Sequence, residues 1–193
     1  MSVATRPTAS STQSTRKTVG TGAVAGFGAA LLGYLVTYVA TSSTIENSTA
    51  SQILEALGSD ISTWKVVGWV FMNAHGVTTT FPGLFGTTSS ANLIEGIESF
   101  SVVLYTVPVV ALLAAGVAAA VLSGASSAKS GAMAGGSTVL GYLPVALAGI
   151  ALFAITIGDA TARPDPVTSV LLAGIVYPVV LGVIGGAATA TLR

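Results

Sequence analysis

Residues 64–75 read WKVVGWVFMNAH, and the fold of the chain depends on whether this stretch crosses a membrane. The stretch holds both tryptophans and the only histidine of the 193-residue sequence. A helix needs about 20 apolar residues to cross a bilayer, so this stretch is short for a span. It is also too apolar for an ordinary surface loop. If it did cross, every later segment would lie on the other side of the membrane.

The composition indicates a membrane protein. Hydrophobic residues make up 52% of the chain and charged residues only 7%, with a mean hydropathy of +0.83. Soluble domains carry about 25% charged residues. The absence of cysteine and the single histidine exclude disulfides, zinc–thiolate sites and multi-histidine metal sites. We expect no cofactor, no nucleic-acid partner and no enzymatic activity.

Four long apolar runs predict transmembrane helices, at about 19–40, 100–122, 132–157 and 167–192. None of them contains Lys, Arg, His, Asp or Glu. Backbone groups in lipid must form hydrogen bonds within the chain, so these runs are expected to be helical. Residues 1–18 are rich in Ser and Thr, basic and without an apolar period, which predicts a disordered cytoplasmic tail. Residues 19–193 then form a single membrane domain.

A signal peptide is the alternative interpretation of the first run. The basic tail precedes it, and Ala40 is followed by small residues that suit cleavage. However, the run has about 22 residues, whereas the apolar core of a signal peptide usually has 7–15. We therefore expect the first run to be retained as a spanning helix.

The charges predict the orientation. One group of basic residues flanks the runs on one side: Arg6, Arg16, Lys17, Lys129 and Arg193. All seven acids fall on the other side, together with two basic residues: Glu46, Glu55, Asp60, Glu95, Glu98, Asp159, Asp165, Lys65 and Arg163. The positive-inside rule then places both termini in the cytoplasm of a multi-pass cell-membrane protein, with residues 41–99 and 158–166 extracellular.

This charge pattern also bears on the opening stretch. A fifth span over residues 64–79 would move Lys129 to the outside and Glu95 to the inside. We therefore predict that residues 41–99 form one outer insertion. Tryptophan favours the membrane–water boundary and lysine can reach water from there, so the stretch is predicted to be an interfacial helix on the outer rim.

The four runs are similar in pairs. GAVAGFGAALLGYL from Gly22 matches GAMAGGSTVLGYL from Gly131, and PVVALLAAGVAAAVL from Pro108 matches PVVLGVIGGAATATL from Pro178. This order predicts two tandem helical hairpins related as a parallel repeat. The predicted fold class is thus an all-α membrane protein with four transmembrane helices and an outer interfacial helix inserted between helices one and two.

Small residues and prolines are predicted to shape these helices. Three Gly-x-x-x-Gly faces would allow close helix packing, either within the chain or in a homodimer: Gly22 and Gly26, Gly131 and Gly135, Gly182 and Gly186. Helix kinks are predicted at three prolines: Pro108, Pro144 and Pro178. Two of them follow a tyrosine (Tyr105 lies three residues before Pro108, and Tyr177 directly precedes Pro178), and these pairs would either flank a cavity or only set the helix shape.

The candidate functional residues lie at the predicted outer rim. They are Trp64, Trp69, Asn73, His75, Glu95 and Glu98. Glu95 and Glu98 are one helical turn apart, which suits acid–base chemistry or, more commonly, a solvated helix start. His75 has no evident nucleophile, so we predict no catalytic residue. Asn47-Ser48-Thr49 is a predicted glycosylation site.

The sequence also resembles a known family. The pattern WK-x-x-GW-x-F-x-NAH, the basic Ser/Thr tail and the GYLVTY helix with Gly33, Tyr34, Thr37 and Tyr38 resemble a haloarchaeal family of small four-span membrane proteins. That family has no assigned activity, although its members are sometimes loosely called transporters. The resemblance implies an archaeal cell membrane with a salty exterior, and it implies no catalytic residues.

The expected function is a structural or accessory role in the membrane, with the lipid bilayer and a homo-oligomer or larger membrane complex as partners. The alternative is a transporter or channel for a small neutral solute. Proton relays and charged-substrate pathways generally use ionisable groups inside the membrane, and the four runs have none. An enzyme built on His75, Glu95 and Glu98 is the third hypothesis.

Overall fold

The computed structural model describes residues 9–48, 62–83, 87–157 and 160–191. In this part of the chain, four helical segments are long and apolar enough to cross a membrane. We call them the first to fourth spans: Thr15–Glu46, Val102–Ser123, Ala128–Leu152 and Pro166–Thr189. They confirm the four predicted runs, with different boundaries.

The helices and strands follow in this order. The chain forms α1 Ala9–Glu46, α2 Thr63–Asn73, β1 Thr79–Pro82, β2 Thr88–Ala91, α3 Leu93–Gly96, a 3₁₀ turn Val102–Tyr105, α4 Thr106–Ser123, α5 Ala128–Gly136, α6 Val139–Leu152, β3 Ile155–Ile157, β4 Ala160–Pro164, α7 Pro166–Thr168, a π-helix Ser169–Val176 and α8 Tyr177–Thr191. The third span therefore consists of α5 and α6, and the fourth of α7, the π-helix and α8.

Two helix boundaries differ from the prediction. Helix α1 begins at Ala9, so the described part of the predicted tail is helical, and residues 1–8 lie outside the described residues. Extending an existing helix costs little, since each added residue gains a backbone hydrogen bond. The third span ends at Leu152, although the apolar run continues to residue 157. The β-branched residues of Ile155–Ile157 form a strand instead.

A small sheet lies at one end of the bundle, so the fold is mostly helical rather than all-α as predicted. Its strand order is β2-β1-β4-β3, and every pairing is antiparallel. Thr79 pairs with Pro164 and Thr80 with Arg163, which joins the connection after the first span to the connection after the third. We call this the sheet end of the bundle.

The spans pack in a ring in the order first, second, fourth, third. Helix α8 packs closely against α4 and α5, while α1 packs against α4 and α6. The second and third spans also touch through α4 and α5, and the described residues show no comparable packing between the first and fourth spans. A twofold repeat would make those two contacts equivalent, so the predicted repeat stays a prediction.

The six predicted packing glycines lie where spans meet within the chain. A methyl group on Gly26 would collide with the Thr138 carbonyl, and one on Gly22 with the Ser137 side chain. On the other side of the third span, Gly135 meets Gly182, and Gly186 meets the Gly131 carbonyl. These contacts use the glycines for intramolecular packing, as close backbone approach requires.

The three prolines occupy different helical environments. Pro108 lies in the first turn of α4, where its missing N–H costs little. Pro144 lies inside α6. Pro178 is the second residue of α8, two residues after the end of the π-helix, and its carbonyl accepts a hydrogen bond from the buried Thr138 hydroxyl at 3.0 Å. Pro108 and Pro178 thus both lie in the first turn of an α-helix.

The described charges separate along the bundle. Near the end opposite the sheet lie the basic residues at the starts of the first and third spans: Arg16, Lys17 and Lys129. At the sheet end lie four acids and two basic residues: Glu46, Glu95, Glu98, Asp165, Lys65 and Arg163. Asp165 caps the fourth span, and the hydrogen bonds that it accepts from the Thr168 backbone and side chain lower the pKa of its carboxyl.

Candidate functional site

The opening stretch lies inside the bundle, not on its rim. We call residues 63–77 the inserted segment, which comprises α2 and the turn after it. Near its start, Trp64 contacts Phe153 at the sheet end of the third span. Farther along, Met72 lies beside Gly149, and His75 contacts Tyr142 near the middle of that span. The segment therefore packs on the first span and leads from the sheet end into the interior, which corrects the predicted interfacial position.

Polar contacts at the sheet end anchor the start of the segment. The Trp69 indole donates to the Phe153 carbonyl at 2.7 Å, and the Lys65 ammonium donates to the Ala154 carbonyl at 2.8 Å. The Tyr34 hydroxyl donates to the Trp64 carbonyl at 2.9 Å. The Phe153 and Ala154 carbonyls lie just past the end of α6, where backbone acceptors lack helical partners, whereas the Trp64 carbonyl lies in the first turn of α2.

A glycine allows the segment to pack against the third span. A methyl group on Gly68 would collide with the ring of Phe153. All residues from Val67 to Asn73 are buried, so the helix has no solvent-facing side over this length. A helix that is apolar all round is expected inside a protein or a membrane rather than at an interface.

His75 is fully buried at the deep end of the segment. Its Nδ1 lies 2.8 Å from the Phe71 carbonyl, and its Nε2 lies 2.7 Å from the Tyr142 hydroxyl. A carbonyl can only accept, so Nδ1 carries the proton and Nε2 accepts from the tyrosine. The rings of Phe71, Tyr142 and Tyr177 lie 4.9, 5.7 and 5.2 Å from the imidazole. Both ring nitrogens are thus satisfied in the neutral state.

Burial sets the charge state of His75. Desolvation lowers the pKa of the imidazole from 6.5 to about 4, although the hydrogen bond to the Phe71 carbonyl partly opposes this. The ring is therefore neutral at physiological pH. A neutral imidazole with both nitrogens engaged suits a structural role better than proton transfer to a substrate.

Asn73 joins the segment to the chain that follows it. Its side-chain amide donates to the Val77 carbonyl at 2.7 Å and to the Thr79 hydroxyl at 3.2 Å, and its oxygen accepts from the Leu93 N–H at 2.9 Å. Asn73 is 0% exposed, so these bonds offset the cost of burying an amide. They hold the segment against β1 and α3.

A second set of hydrogen bonds continues from Asn73 towards the surface. The Asn92 amide donates to the Asn73 carbonyl at 3.4 Å and to the Tyr105 hydroxyl at 2.8 Å. Tyr105 donates in turn to the Glu95 carboxylate at 2.9 Å. Glu95 is therefore linked to Asn73 through Asn92 and Tyr105.

The predicted outer-rim patch is therefore divided into three parts. The two tryptophans lie at Phe153, Asn73 and Glu95 belong to one hydrogen-bond chain, and His75 faces Tyr142. Glu98 lies exposed in the turn before the second span. The predicted grouping of His75 with Glu95 and Glu98 as one patch is not what the structure shows.

The predicted glycosylation site lies at the end of α1. The Asn47 side chain is exposed and its amide donates to the Ser43 carbonyl at 2.8 Å, while Thr49 lies outside the described residues. Modification of Asn47 stays a prediction. In the described part of the chain, no three His, Cys, Asp or Glu side chains are grouped as metal ligands.

The sequence did not point to several residues that build the site. Tyr142 and Phe153 contact the inserted segment, as does Tyr177, which the sequence singled out only as a neighbour of Pro178. Ser169 begins the π-helix, and its buried hydroxyl has no hydrogen-bond partner among the described residues. Such residues look like ordinary span residues in a sequence, since only the packing of α2 singles them out.

Comparison with known proteins identifies a family but no activity. No curated protein and no solved structure matches the chain. One protein family, described as a family of unknown function (DUF7978), matches residues 1–193. That description does not extend to the haloarchaeal origin implied by the resemblance. The four apolar spans and the inserted segment are thus features of a chain that belongs to the family of unknown function DUF7978.

Proposed function

We propose that this protein is an integral membrane protein with a structural or accessory role, with the lipid bilayer and a homo-oligomer or larger membrane complex as its partners. The observation that carries the proposal is the filled interior of the bundle. Met72 and His75 of the inserted segment, Leu112 of the second span and Tyr142 of the third are each at most 1% exposed. Side chains therefore occupy the place where a transport pathway would run.

The charge distribution supports an orientation for this protein. Arg16, Lys17 and Lys129 lie near one end of the bundle, and the described acids lie at the other. The positive-inside rule then places the sheet end outside the cell and both termini in the cytoplasm. In this orientation the inserted segment enters the bundle from the outer side.

The test of an accessory role is recovery of the full chain from native membranes. Affinity purification in a mild detergent after brief chemical crosslinking should yield the protein with a reproducible protein partner or as an oligomer. The same procedure on an unrelated four-span protein of equal abundance provides the control. Repeated recovery of the chain alone and monomeric would contradict the proposal.

A second candidate function is transport of a small neutral solute, and the π-helix favours it. π-Helical turns occur frequently at functional sites. This one begins at Ser169, whose buried hydroxyl has no partner in the described part of the chain, and ends beside Tyr177, which contacts His75. Transport would require the inserted segment to move out of the interior. Proteoliposomes that pass glycerol or urea no faster than protein-free vesicles would exclude these substrates.

A further inference from the structure

An apolar groove of about 420 Å³ runs along the bundle between the first and third spans. Phe27 and Leu31 form its first-span wall, Val145 and Leu152 form its third-span wall, and Phe71 and Met72 of the inserted segment form part of its floor. This volume lies within the range of roughly 300–1,000 Å³ that is usual for small-ligand sites. A ligand in this groove would contact mainly apolar side chains along its length.

The groove extends from the sheet end towards the middle of the spans. Trp64 and Phe153 line it at the sheet end, and Phe27 and Pro144 line it farther down. Between Tyr34 and Phe27, α1 rises by roughly 10 Å, which gives the groove an elongated shape parallel to the helix axes. An elongated apolar groove on the side of membrane spans suits an acyl or other hydrocarbon chain.

A cation lies at the sheet-end mouth of the groove. Lys65 follows Trp64 directly, and its Nζ lies 5.6 Å from the centre of the Trp64 ring. One ammonium proton is donated to the Ala154 carbonyl, which leaves two for another acceptor. The described residues contain no salt bridge to this ammonium. Tryptophan and lysine together are typical of the membrane–water boundary, where lipid phosphates lie.

We propose that this groove and Lys65 form a binding site for one anionic phospholipid, with a hydrocarbon chain in the groove and the phosphate at the Lys65 ammonium. The charge of Lys65 at the mouth of a groove with an apolar lining selects the anionic class over a zwitterionic one. Charge-assisted hydrogen bonds to phosphate are stronger than neutral hydrogen bonds. The preference for one phospholipid over another is therefore expected to depend on the headgroup. The site rests on the proposed placement of the protein in a membrane.

Native mass spectrometry of the full chain in detergent tests the site. The protein is titrated with phosphatidylglycerol and, separately, with phosphatidylcholine that carries the same acyl chains. We expect phosphatidylglycerol to be retained about fivefold more than phosphatidylcholine, and Lys65→Gln to abolish this preference. Glutamine keeps a donor for the Ala154 carbonyl. Lys129→Gln, which removes one charge at the opposite end, should keep the preference.

Two further variants test the groove itself. Ala148 lines it, so Ala148→Phe should reduce the retention of both lipids. Ala118→Phe introduces the same ring into a different groove, between the first and second spans, and should leave the headgroup preference unchanged. Inorganic phosphate at millimolar concentration should not compete, because it lacks the hydrocarbon chain.

Three results would overturn the site: equal retention of the two lipids by the wild type, a full preference in Lys65→Gln, or unchanged retention in Ala148→Phe. Competition by inorganic phosphate would also overturn it, because the groove would then be unnecessary. Carbonate washing of native membranes distinguishes an error in the lipid site from an error in the proposed membrane placement. Release of the chain by carbonate contradicts the membrane placement, whereas a chain that stays in the membrane without lipid preference contradicts only the site.

Discussion

Replacing Gly182 with alanine is expected to lower the stability of the protein by about 3 kcal/mol. A methyl group there would collide with the Gly135 carbonyl and would lie 2.6 Å from the Thr138 hydroxyl oxygen. Both neighbours belong to the third span or its central turn, and a backbone carbonyl cannot move aside without moving its helix. The fourth span would therefore separate from the third, or both would shift.

Thermal unfolding in detergent measures this effect. For a protein of this size, the expected loss corresponds to a fall of roughly 10 °C in the melting temperature. Gly28→Ala provides the control, because nothing lies within 4 Å of a methyl group at that position. This control should be neutral or slightly stabilising, since alanine favours a helix more than glycine does. Equal melting temperatures for the two variants would contradict the packing described between the third and fourth spans.

Acidification is expected to destabilise the protein through His75. The pKa of the buried imidazole is about 4, below the ordinary 6.5 that it regains on unfolding. Between these two pH values the unfolded chain binds more protons than the folded chain, so stability falls as the pH falls from 6.5 to 4. The full loss across this window is about 3 kcal/mol, and above pH 6.5 His75 contributes no pH dependence.

Tryptophan fluorescence reports this change directly, because both tryptophans of the chain lie in the inserted segment. The melting temperature should fall between pH 6.5 and 4 in the wild type and much less in His75→Gln, which cannot titrate. Carboxylates such as Asp165 are present in both proteins. Because the pKa of Asp165 is lowered from 3.8, its protonation reduces stability only at a more acidic pH than that of His75. If the melting temperature fell equally in the wild type and in His75→Gln, the loss of stability would not come from protonation of His75.

The sequence was informative where a single physical requirement dominates. Four charge-free runs of about 20 residues or more predict spans, because an unpaired backbone is too costly in lipid, and all four are present. The predicted glycines lie at contacts between spans because only glycine permits such close approach. The charge segregation along the bundle is also visible in the sequence.

The sequence was less informative where tertiary contacts decide. The strands have three to five residues each and pair across two distant connections, so no local alternation revealed them. The apolar run after Leu152 concealed the end of a helix, because a buried strand and a helix have similar composition. An interfacial helix and a helix inserted into the bundle can also have the same length and hydropathy, so the sequence did not reveal the position of α2. The position of His75 depends on Tyr142, which lies 67 residues away.

The inserted segment supplies an amide and an imidazole to the buried interior of the bundle. Asn73 and His75 enter with α2, and each is fully hydrogen-bonded within the chain. Buried polar groups with all partners satisfied favour one arrangement of the core over others. The segment thus connects the third and fourth spans in the interior of the bundle, in agreement with the proposed structural role.

Labelling of single cysteines with a membrane-impermeant maleimide tests the central claim, that the inserted segment lies inside a membrane-embedded bundle. The chain has no cysteine of its own, so Glu98→Cys, Lys129→Cys and Ala74→Cys can be compared. We predict that Glu98→Cys is labelled in intact cells, that Lys129→Cys is labelled only in inverted vesicles, and that Ala74→Cys, at a position 0% exposed, is labelled in neither. Labelling of the first two from the same side, or labelling of Ala74→Cys as fast as Glu98→Cys, would contradict the account.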